Sequence, residues 1–521
     1  MFERGTEVSY ATCGLPYYVG GVIQERSQLL VGSVGWFRQV FRVTVCTQHE
    51  VEAIDRQRKV VRVRDLKTGS TREEPYDALV LAPGSSALIP PITGVESPLV
   101  FSLRTLEEAE RLRRFLDERQ PRSGTIIGAG YIGIEVAENL LRRGINVRLI
   151  EKLPQVLPQW DPEMVNPLRE ALLRRGVELH LGTEIAAIET ATDGGLRLLD
   201  SQGREWTSDF VVLAAGIKPN VQLAADAGLE IGPLGGIRVD ERMRTSDPNI
   251  WAVGDAVEVT DWVTGQATLV ALAGPTARQA RVAAENICGR PSRYRGAQAT
   301  SIVAFFDLTL ASTGATEKQL QRAGIPYRKS YSHSFHHATY YPGAERMAIK
   351  LLFAPDSGQI LGAQIVGGQG VDRRIDVLAL AIQQRATVFE LEEAELAYAP
   401  QFGSTRDPIN IAASVAANIL REDVSPAYWE EWLQADPGAR PLLVDVRSPQ
   451  ERAQAAVPDS LNIPLPELRS RLAELPKDRE ILVHCAVGQR GYYAARILKQ
   501  LGYRVRNLAG GMITYRMLTQ E

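Results

Sequence analysis

Residues 125–151 constrain the fold more than any other stretch. Thr125-Ile126-Ile127 reads as a short β-branched strand running into Gly128-Ala129-Gly130-Tyr131-Ile132-Gly133. An amphipathic helix to Leu141 follows, closed by Gly144, then a second strand, Val147–Ile150, ending at Glu151. The glycines serve different ends: a tight turn, close backbone approach to a pyrophosphate, and tight helix-on-strand packing. The helix N-terminus offers free N–H groups and a positive dipole end to phosphate. Glu151 stands 23 residues after Gly128, where a carboxylate accepts from a ribose diol and repels a 2′-phosphate. The unit predicts a parallel α/β sheet with a nicotinamide dinucleotide site, NADH favoured over NADPH, with Lys152 beside the acid softening that preference.

The 521 residues amount to about 3.5 domains of roughly 150 residues. With 45% hydrophobic and 23% charged residues, the chain has an ordinary globular composition. The balance of 59 basic against 62 acidic side chains leaves a net of −3, with no electrostatic footprint for nucleic acid or anionic membrane. No stretch approaches the ~20 apolar residues of a membrane span, and Met-Phe-Glu-Arg-Gly has no apolar leader. Four scattered cysteines (Cys13, Cys46, Cys288, Cys485) suit neither a disulfide scaffold nor a zinc cluster, which implies a reducing cytoplasm.

Strands flank the nucleotide unit: Ala78–Leu81 entering Gly84, Phe210–Gly216, and Ile250–Val253 ending in Gly254-Asp255. A carboxylate past a strand end lies at the carboxyl edge of a parallel sheet, where open α/β folds bind ligands. Residues 124–216 therefore read as an insertion into a frame made by the segments on either side. Strands Ser301–Leu310, Met347–Phe353 and Gln359–Val366, then a helix over Val371–Gln384, predict a separate α+β domain, the helix apolar enough for a dimer face. Residues 421–441, with three prolines, read as a linker with one short helix around Trp429. A compact α/β unit of about 80 residues follows.

In that last unit, a strand at Glu480–His484 leads into Cys485-Ala486-Val487-Gly488-Gln489-Arg490-Gly491, then a helix through Ala494–Leu501. A thiolate between a strand end and a helix start gains from backbone N–H groups and the helix dipole, and Arg490 adds positive charge over the loop. Such a thiolate suits a phosphatase nucleophile or a sulfur carrier. Four residues separate Cys485 from Arg490, one fewer than in the phosphatase loop, and the smaller cradle suits a persulfide. Together with Leu443-Val444-Asp445-Val446-Arg447-Ser448-Pro449-Gln450-Glu451, the segment resembles the rhodanese family over 438–519. The resemblance implies that Cys485 accepts sulfane sulfur as a persulfide.

Cys13 is the other candidate thiol, placed by the turn residues after it at a helix start or tight turn. Flavoprotein reductases with an internal dithiol need a second Cys at the position of Tyr18, so this thiol can hold a mixed disulfide, a persulfide or a sulfenic acid. Residues 1–423 resemble the single-cysteine branch of the pyridine nucleotide-disulfide oxidoreductases, the coenzyme A-disulfide reductases. The stretches that carry this are Phe2-Glu3-Arg4-Gly5 with Ser9, Cys13-Gly14-Leu15-Pro16-Tyr17, Leu272–Gln279, His337–Gly343 and Asp407-Pro408-Ile409-Asn410. With the rhodanese unit, the whole chain resembles the fused coenzyme A-disulfide/persulfide reductases.

The resemblance implies an α/β fold of two Rossmann-like domains, one inserted in the other, an α+β dimerisation domain and a C-terminal α/β rhodanese domain. The expected boundaries are 1–100 and 217–300 for the FAD domain, 101–216 for the NAD(P) domain, 301–423 for dimerisation, 424–437 for a linker and 438–521 for rhodanese. It implies FAD and NAD(P)H as cofactors. FAD would be held by Glu3 at a ribose, Asp255 at the ribityl chain and the turn Ala273-Gly274-Pro275. NADH would be held by Gly128, Gly130, Gly133, Glu151 and Gly216. Cys13, with Ser9 near it, would be the redox cysteine, and Tyr340 or Tyr341 would reach the active site of a homodimer partner. Three departures stand out: Thr12 replaces Asn, Phe402 replaces a tyrosine before Gly403, and the sequence opens at Glu3 without the strand and Gly-rich turn expected about 30 residues earlier.

The expected function is NAD(P)H-dependent reduction of a persulfide, polysulfide or disulfide, coenzyme A disulfide among them, coupled to sulfur transfer at Cys485 and Arg490. An NADH oxidase or peroxidase cycling Cys13 through sulfenic acid is a second reading. A third is a sulfurtransferase on a scaffold unable to hold FAD. No metal site is expected: His333, His336 and His337 lack a carboxylate or thiol at usable spacing, and Cys46 and Cys288 read as packing residues.

Overall fold

The computed structural model describes residues 1–192 and 194–519; Asp193 and the last two residues of the expected 438–521 domain lie outside them. The chain divides into two compact units, Met1–Pro158 with Leu172–Ala299, and Gln159–Ala171 with Thr300–Glu521.

The first unit is built on a five-stranded parallel sheet in the order Val100–Ser102, Phe210–Leu213, Ser123–Ile127, Asn146–Ile150, Glu178–His180. Phe210–Leu213 is buried at every position, the continuous apolar run expected of a strand covered on both faces. Gly124 pairs with Phe210 and Ile127 with Leu213, so Gly128 and Ala214 emerge side by side at the carboxyl edge. The frame contributes two parallel pairs, Phe2–Glu3 with Cys46–Thr47 and Leu79–Leu81 with Ile250–Ala252, which share no strand. Ile237, Ile250, Ala252 and Val257 centre its core.

In the second unit, a five-stranded antiparallel sheet runs Ser301–Phe305, Leu308–Gly314, Ile360–Gly367, Arg346–Phe353, Arg328–Phe335. The expected strand Ser301–Leu310 is in fact a hairpin that turns at Phe306-Asp307, with Phe306 in the left-handed region at φ 52. Helix Val371–Gln383 buries Val371, Ile375, Leu378 and Ile382 and leaves Leu380 exposed.

A parallel sheet follows in the order Pro426–Ala427, Val505–Leu508, Ile481–His484, Leu442–Asp445, Leu461–Asn462. Here the expected linker at 424–437 is corrected. It supplies the edge strand Pro426–Ala427 and the helix Trp429–Gln434. Proline is tolerated at a sheet edge, and Trp429 is fully buried, its Nε1 donating to Gly511 O at 2.8 Å.

Segment Gln159–Ala171 joins this unit through charge. Lys350 is fully buried and its ammonium meets Asp161 at 2.8 Å, Glu163 at 2.5 Å and Glu317. Burial alone would discharge the lysine, but the carboxylates reverse that and hold it protonated. Among the described residues these three acids are the group with metal-ligand spacing, and the ammonium stands where a cation would. Among the described residues, no helix is long and apolar enough to cross a membrane.

Candidate active sites

Cys13 lies on a 3-10 turn, Thr12–Gly14, that leads into the helix Leu15–Val19. Pro16 starts that helix without needing an N–H partner. Leu15, Pro16, Tyr18 and Val19 are buried and anchor the turn, while Cys13 is exposed. Ser9 sits in the strand Ser9–Tyr10, paired with Leu30–Gly32. Four residues past the thiol, Tyr17 Oη donates to Glu135 Oε1 at 3.4 Å. Desolvation, with Glu138 adding to it, pushes the Glu135 carboxyl up to about 7; burial and Glu135 itself push the Tyr17 phenol up to about 12. Glu135 belongs to the helix Tyr131–Arg142 that begins at the Gly-rich turn, so the thiol helix and the nucleotide helix are in contact. Sequence reasoning missed this acid; its signal was a carboxylate on the packed face of an amphipathic helix.

The Gly-rich turn has the close backbone packing that a diphosphate-binding turn requires. Gly128 has φ +109, and a Cβ there would lie 2.3 Å from Ala214 O; one at Gly133 would lie 2.0 Å from Gly128 O. A Cβ at Gly130 would meet nothing within 4 Å. Gly130 is the N-cap of the helix and offers no side-chain cap, which leaves room beside the helix start. Glu151, 8% exposed, accepts from Ala129 N at 2.7 Å on one oxygen and from Leu153 N at 2.8 Å on the other, which locks the turn. Lys152, itself exposed, pairs with Glu184 at 2.7 Å. Gly216, φ +117, follows the strand Phe210–Leu213.

The residues expected to hold FAD also suit it. Glu3 Oε1 accepts from Gly5 N at 2.6 Å. Asp255 Oδ2 accepts from Ser85 Oγ at 2.9 Å and Arg104 Nη2 at 2.5 Å, and its side chain stays 17% exposed. Ala273-Gly274-Pro275 opens the helix Ala273–Ile287, which has no side-chain cap, and a Cβ at Gly274 would meet nothing within 4 Å.

In the second unit, Cys485 is fully buried after the strand Ile481–His484. Gly488, at φ +94, donates its N–H to Cys485 Sγ at 3.1 Å. Asn507 Nδ2 holds Gly488 O at 3.2 Å, a contact sequence reasoning did not find. Met512 N donates to Cys485 O at 2.8 Å. Arg490 is not a free charge over the loop: it forms a two-pronged pair with Glu451 at 2.7 and 2.6 Å. That pair holds the Glu451 carboxyl down at about 2. His484 is buried 3.9 Å from Asp445, and desolvation lowers its imidazole to about 4.

The tyrosines lie elsewhere in this unit. Tyr340 Oη and Tyr398 Oη are 2.7 Å apart, Tyr341 packs edge-on against His337, and Phe402 is exposed. The three histidines do not converge: His333 Nε2 meets Thr514 Oγ1 at 2.8 Å, His336 Nδ1 accepts from Glu345 N, and His337 Nδ1 meets Ala338 O. Cys46 is half-buried near Arg72. Cys288 is exposed at a helix end, so it is not the packing residue expected.

Residues 1–283 match the model of the pyridine nucleotide-disulphide oxidoreductases, 300–407 that family's dimerisation domain, and 426–516 the rhodanese-like domain. The structure is similar to that of reduced Bacillus anthracis CoADR-RHD, 42% identical with a TM-score of 0.97, covering 100% of this chain and 93% of that one. It is similar to a NAD-dependent persulfide reductase from A. fulgidus, 38% identical with a TM-score of 0.91, covering 99% and 94%. A protein named NADH oxidase from Methanocaldococcus jannaschii is 33% identical over 421 residues, 81% of this chain and 93% of that protein. The chain belongs to the pyridine nucleotide-disulphide oxidoreductase family and carries a rhodanese-like domain at its C-terminal end.

Proposed function

We propose that this protein is an FAD-containing, NADH-dependent reductase of persulfides or polysulfides, with a sulfurtransferase domain that carries sulfane sulfur on Cys485. The observation that carries the reading is the pairing of two single-thiol turns in one chain, each set at the start of a helix. Similarity over almost the full length to a persulfide reductase supports it.

Bound FAD would supply two-electron transfer between NADH and the thiol. The chain's own residues do the rest. The open helix start at Gly130 binds the nicotinamide dinucleotide's phosphates, and Glu151 with Gly216 orients it. Glu3, Asp255 and the turn Ala273-Gly274-Pro275 hold the flavin dinucleotide. The Cys13 thiolate, exposed on its turn, would take the outer sulfur of a persulfide R–S–SH, the donor's S–S bond breaking as R–S⁻ leaves, and two-electron reduction of the resulting cysteine persulfide would return the thiolate and release hydrosulfide. Glu135 and Tyr17 hold a proton near neutral pH beside that thiol helix. Tyr340 or Tyr341 serves the thiol site of a second copy, with Tyr398 offering the phenol that Phe402 lacks. Gly488 N–H steadies the Cys485 sulfur, and Arg490, held by Glu451, borders the loop without adding net charge to it. Four free thiols suit a reducing cytoplasm.

The absorption spectrum of the purified chain and its NADH turnover test this reading. We expect a stoichiometric flavin band, and turnover with persulfide or polysulfide that Cys13→Ser abolishes. A colourless protein active only in thiosulfate:cyanide sulfur transfer, or turnover with oxygen or peroxide alone, would sink it.

A further inference from the structure

Strand Arg328–Phe335 closes one edge of the antiparallel sheet in the second unit, yet its polar side chains are spent on distant parts of the same unit. Alternation puts Lys329, Tyr331 and His333 on one face. Lys329 Nζ meets Glu430 at 2.9 Å, Tyr331 Oη donates to Glu163 at 2.8 Å, and His333 Nε2 meets Thr514 Oγ1 at 2.8 Å. His333 and Thr514 are both buried, where a polar group left unpaired is costly. Burial, with Arg346 adding to it, lowers the imidazole to about 3. It is therefore neutral, with one ring nitrogen a donor and the other an acceptor. Arg346 itself donates to His333 O at 2.8 Å.

Thr514 belongs to the helix Gly511–Thr519, and the start of that helix is bound to the Cys485 loop. Met512 N donates to Cys485 O at 2.8 Å and Ile513 N to Ala486 O at 3.1 Å. In a trans peptide the C=O and N–H point opposite ways. Holding these two carbonyls therefore turns the N–H groups of Ala486 and Val487 to the other side of the loop. Gly488 N–H reaches Cys485 Sγ, and a thiol at a helix start surrounded by such donors gains acidity. The turn before the helix has no slack. A Cβ at Gly510 would lie 1.9 Å from Thr514 Oγ1 and 2.9 Å from His333 Nε2, and one at Gly511 would lie 2.3 Å from Cys485 O. Trp429 Nε1 and Asn166 Nδ2 hold the helix at Gly511 O and Met517 O, and His333 holds its middle. Imidazole, hydroxyl, turn and loop form one run of contacts.

We propose that His333 is a positioning residue for Cys485: its hydrogen bond to Thr514 sets the helix whose start holds the loop carbonyls, and so keeps the loop in the form that activates the thiol. The reactivity of the thiol in the rhodanese-like domain then depends on an imidazole of the dimerisation domain. The inference rests on the reading of Cys485 as a sulfur carrier.

The test is thiosulfate:cyanide transfer by the full chain. The Cys485 thiolate takes the outer sulfur of thiosulfate, sulfite leaves with the bonding pair, and cyanide removes the sulfur as thiocyanate. The kcat/KM for thiosulfate reports the loading step alone, and its rising limb with pH reports the free thiol. His333→Ala should lower that value about tenfold at pH 7 and move the limb up by about one pH unit. Thr514→Val, of the same shape without the hydroxyl, should do the same. His333→Gln, whose amide nitrogen reaches the place of Nε2, should restore most of both. The charged pair Arg490 and Glu451, which also faces the thiol, is untouched by these variants. An unshifted limb in His333→Ala or Thr514→Val, or a glutamine variant as impaired as the alanine one, overturns the role of His333. Wild type without transfer, or transfer that survives Cys485→Ser, sinks the sulfur-carrier reading and this inference with it.

Discussion

Two neighbouring glycines separate the demands of the fold from those of the nucleotide. A Cβ at Gly130 meets no atom of the chain within 4 Å, and its φ of −76 and ψ of −173 suit alanine. Replacing glycine by alanine at an N-cap costs about 0.5–1 kcal/mol, and the restricted unfolded chain returns about 0.4–1 kcal/mol, so Gly130→Ala should change apo stability by less than about 0.5 kcal/mol. The methyl would instead occupy the space where a diphosphate approaches the first-turn N–H groups. Losing one such charge-assisted hydrogen bond costs about 1.5–3 kcal/mol, or roughly ten- to a hundredfold in NADH affinity. At Gly133 the methyl would sit 2.0 Å from Gly128 O, a backbone atom. Helix and turn must then part, at about 1–3 kcal/mol of overpacking, so Gly133→Ala should lower both apo stability and NADH affinity. Thermal melts without nucleotide and NADH titration by fluorescence read the two effects apart. Wild-type NADH affinity in Gly130→Ala would refute the assignment of this turn to the diphosphate.

Further outcomes follow from buried titratable groups and from the Cys485 loop. His333 and His484 are lowered by burial to about 3 and about 4; depressed imidazoles contribute stability above pH 6.5 that is lost as pH falls toward 4. Two protons taken up only on unfolding give a slope of about 2.7 kcal/mol per pH unit in that window, measurable by urea unfolding, and a flat profile from pH 6 to 4.5 contradicts it. Glu135 has the opposite sign: its carboxyl is raised from 4.5 to about 7, so the stability it contributes is complete below pH 4.5 and lost as pH rises through 7. Glu135→Gln should therefore melt higher than wild type at pH 8, by up to about 3 kcal/mol, and no higher at pH 4.5. Asn507→Leu releases Gly488, and should slow iodoacetamide alkylation of Cys485 at pH 7 about tenfold with the far-UV spectrum unchanged; an unaltered rate removes Asn507 from that role.

The nucleotide turn was legible because its glycines, strand and helix lie within one stretch of chain, where period and turn chemistry act locally. The same held for the strand, loop and helix around Cys485. Other features depend on pairs far apart. Arg490 meets Glu451 across 39 residues and Tyr340 meets Tyr398 across 58, and no spacing rule joins them. Residues 421–441 read as a linker with one short helix around Trp429; that helix is present, but burial of Trp429 and Trp432 makes the segment part of the rhodanese-like core. The turn at Phe306-Asp307 carries no glycine, and the left-handed Phe306 is held by pairing of the strands on either side.

The central claim is that reducing equivalents from NADH end on sulfane sulfur through Cys13. Anaerobic hydrosulfide release measured against NADH consumed, with a persulfide as the only acceptor, tests it most directly. The account predicts one hydrosulfide per NADH, none in Cys13→Ser, and retained thiosulfate:cyanide transfer in that variant. NADH consumption that stops without oxygen or peroxide, or hydrosulfide release that persists in Cys13→Ser, would contradict it.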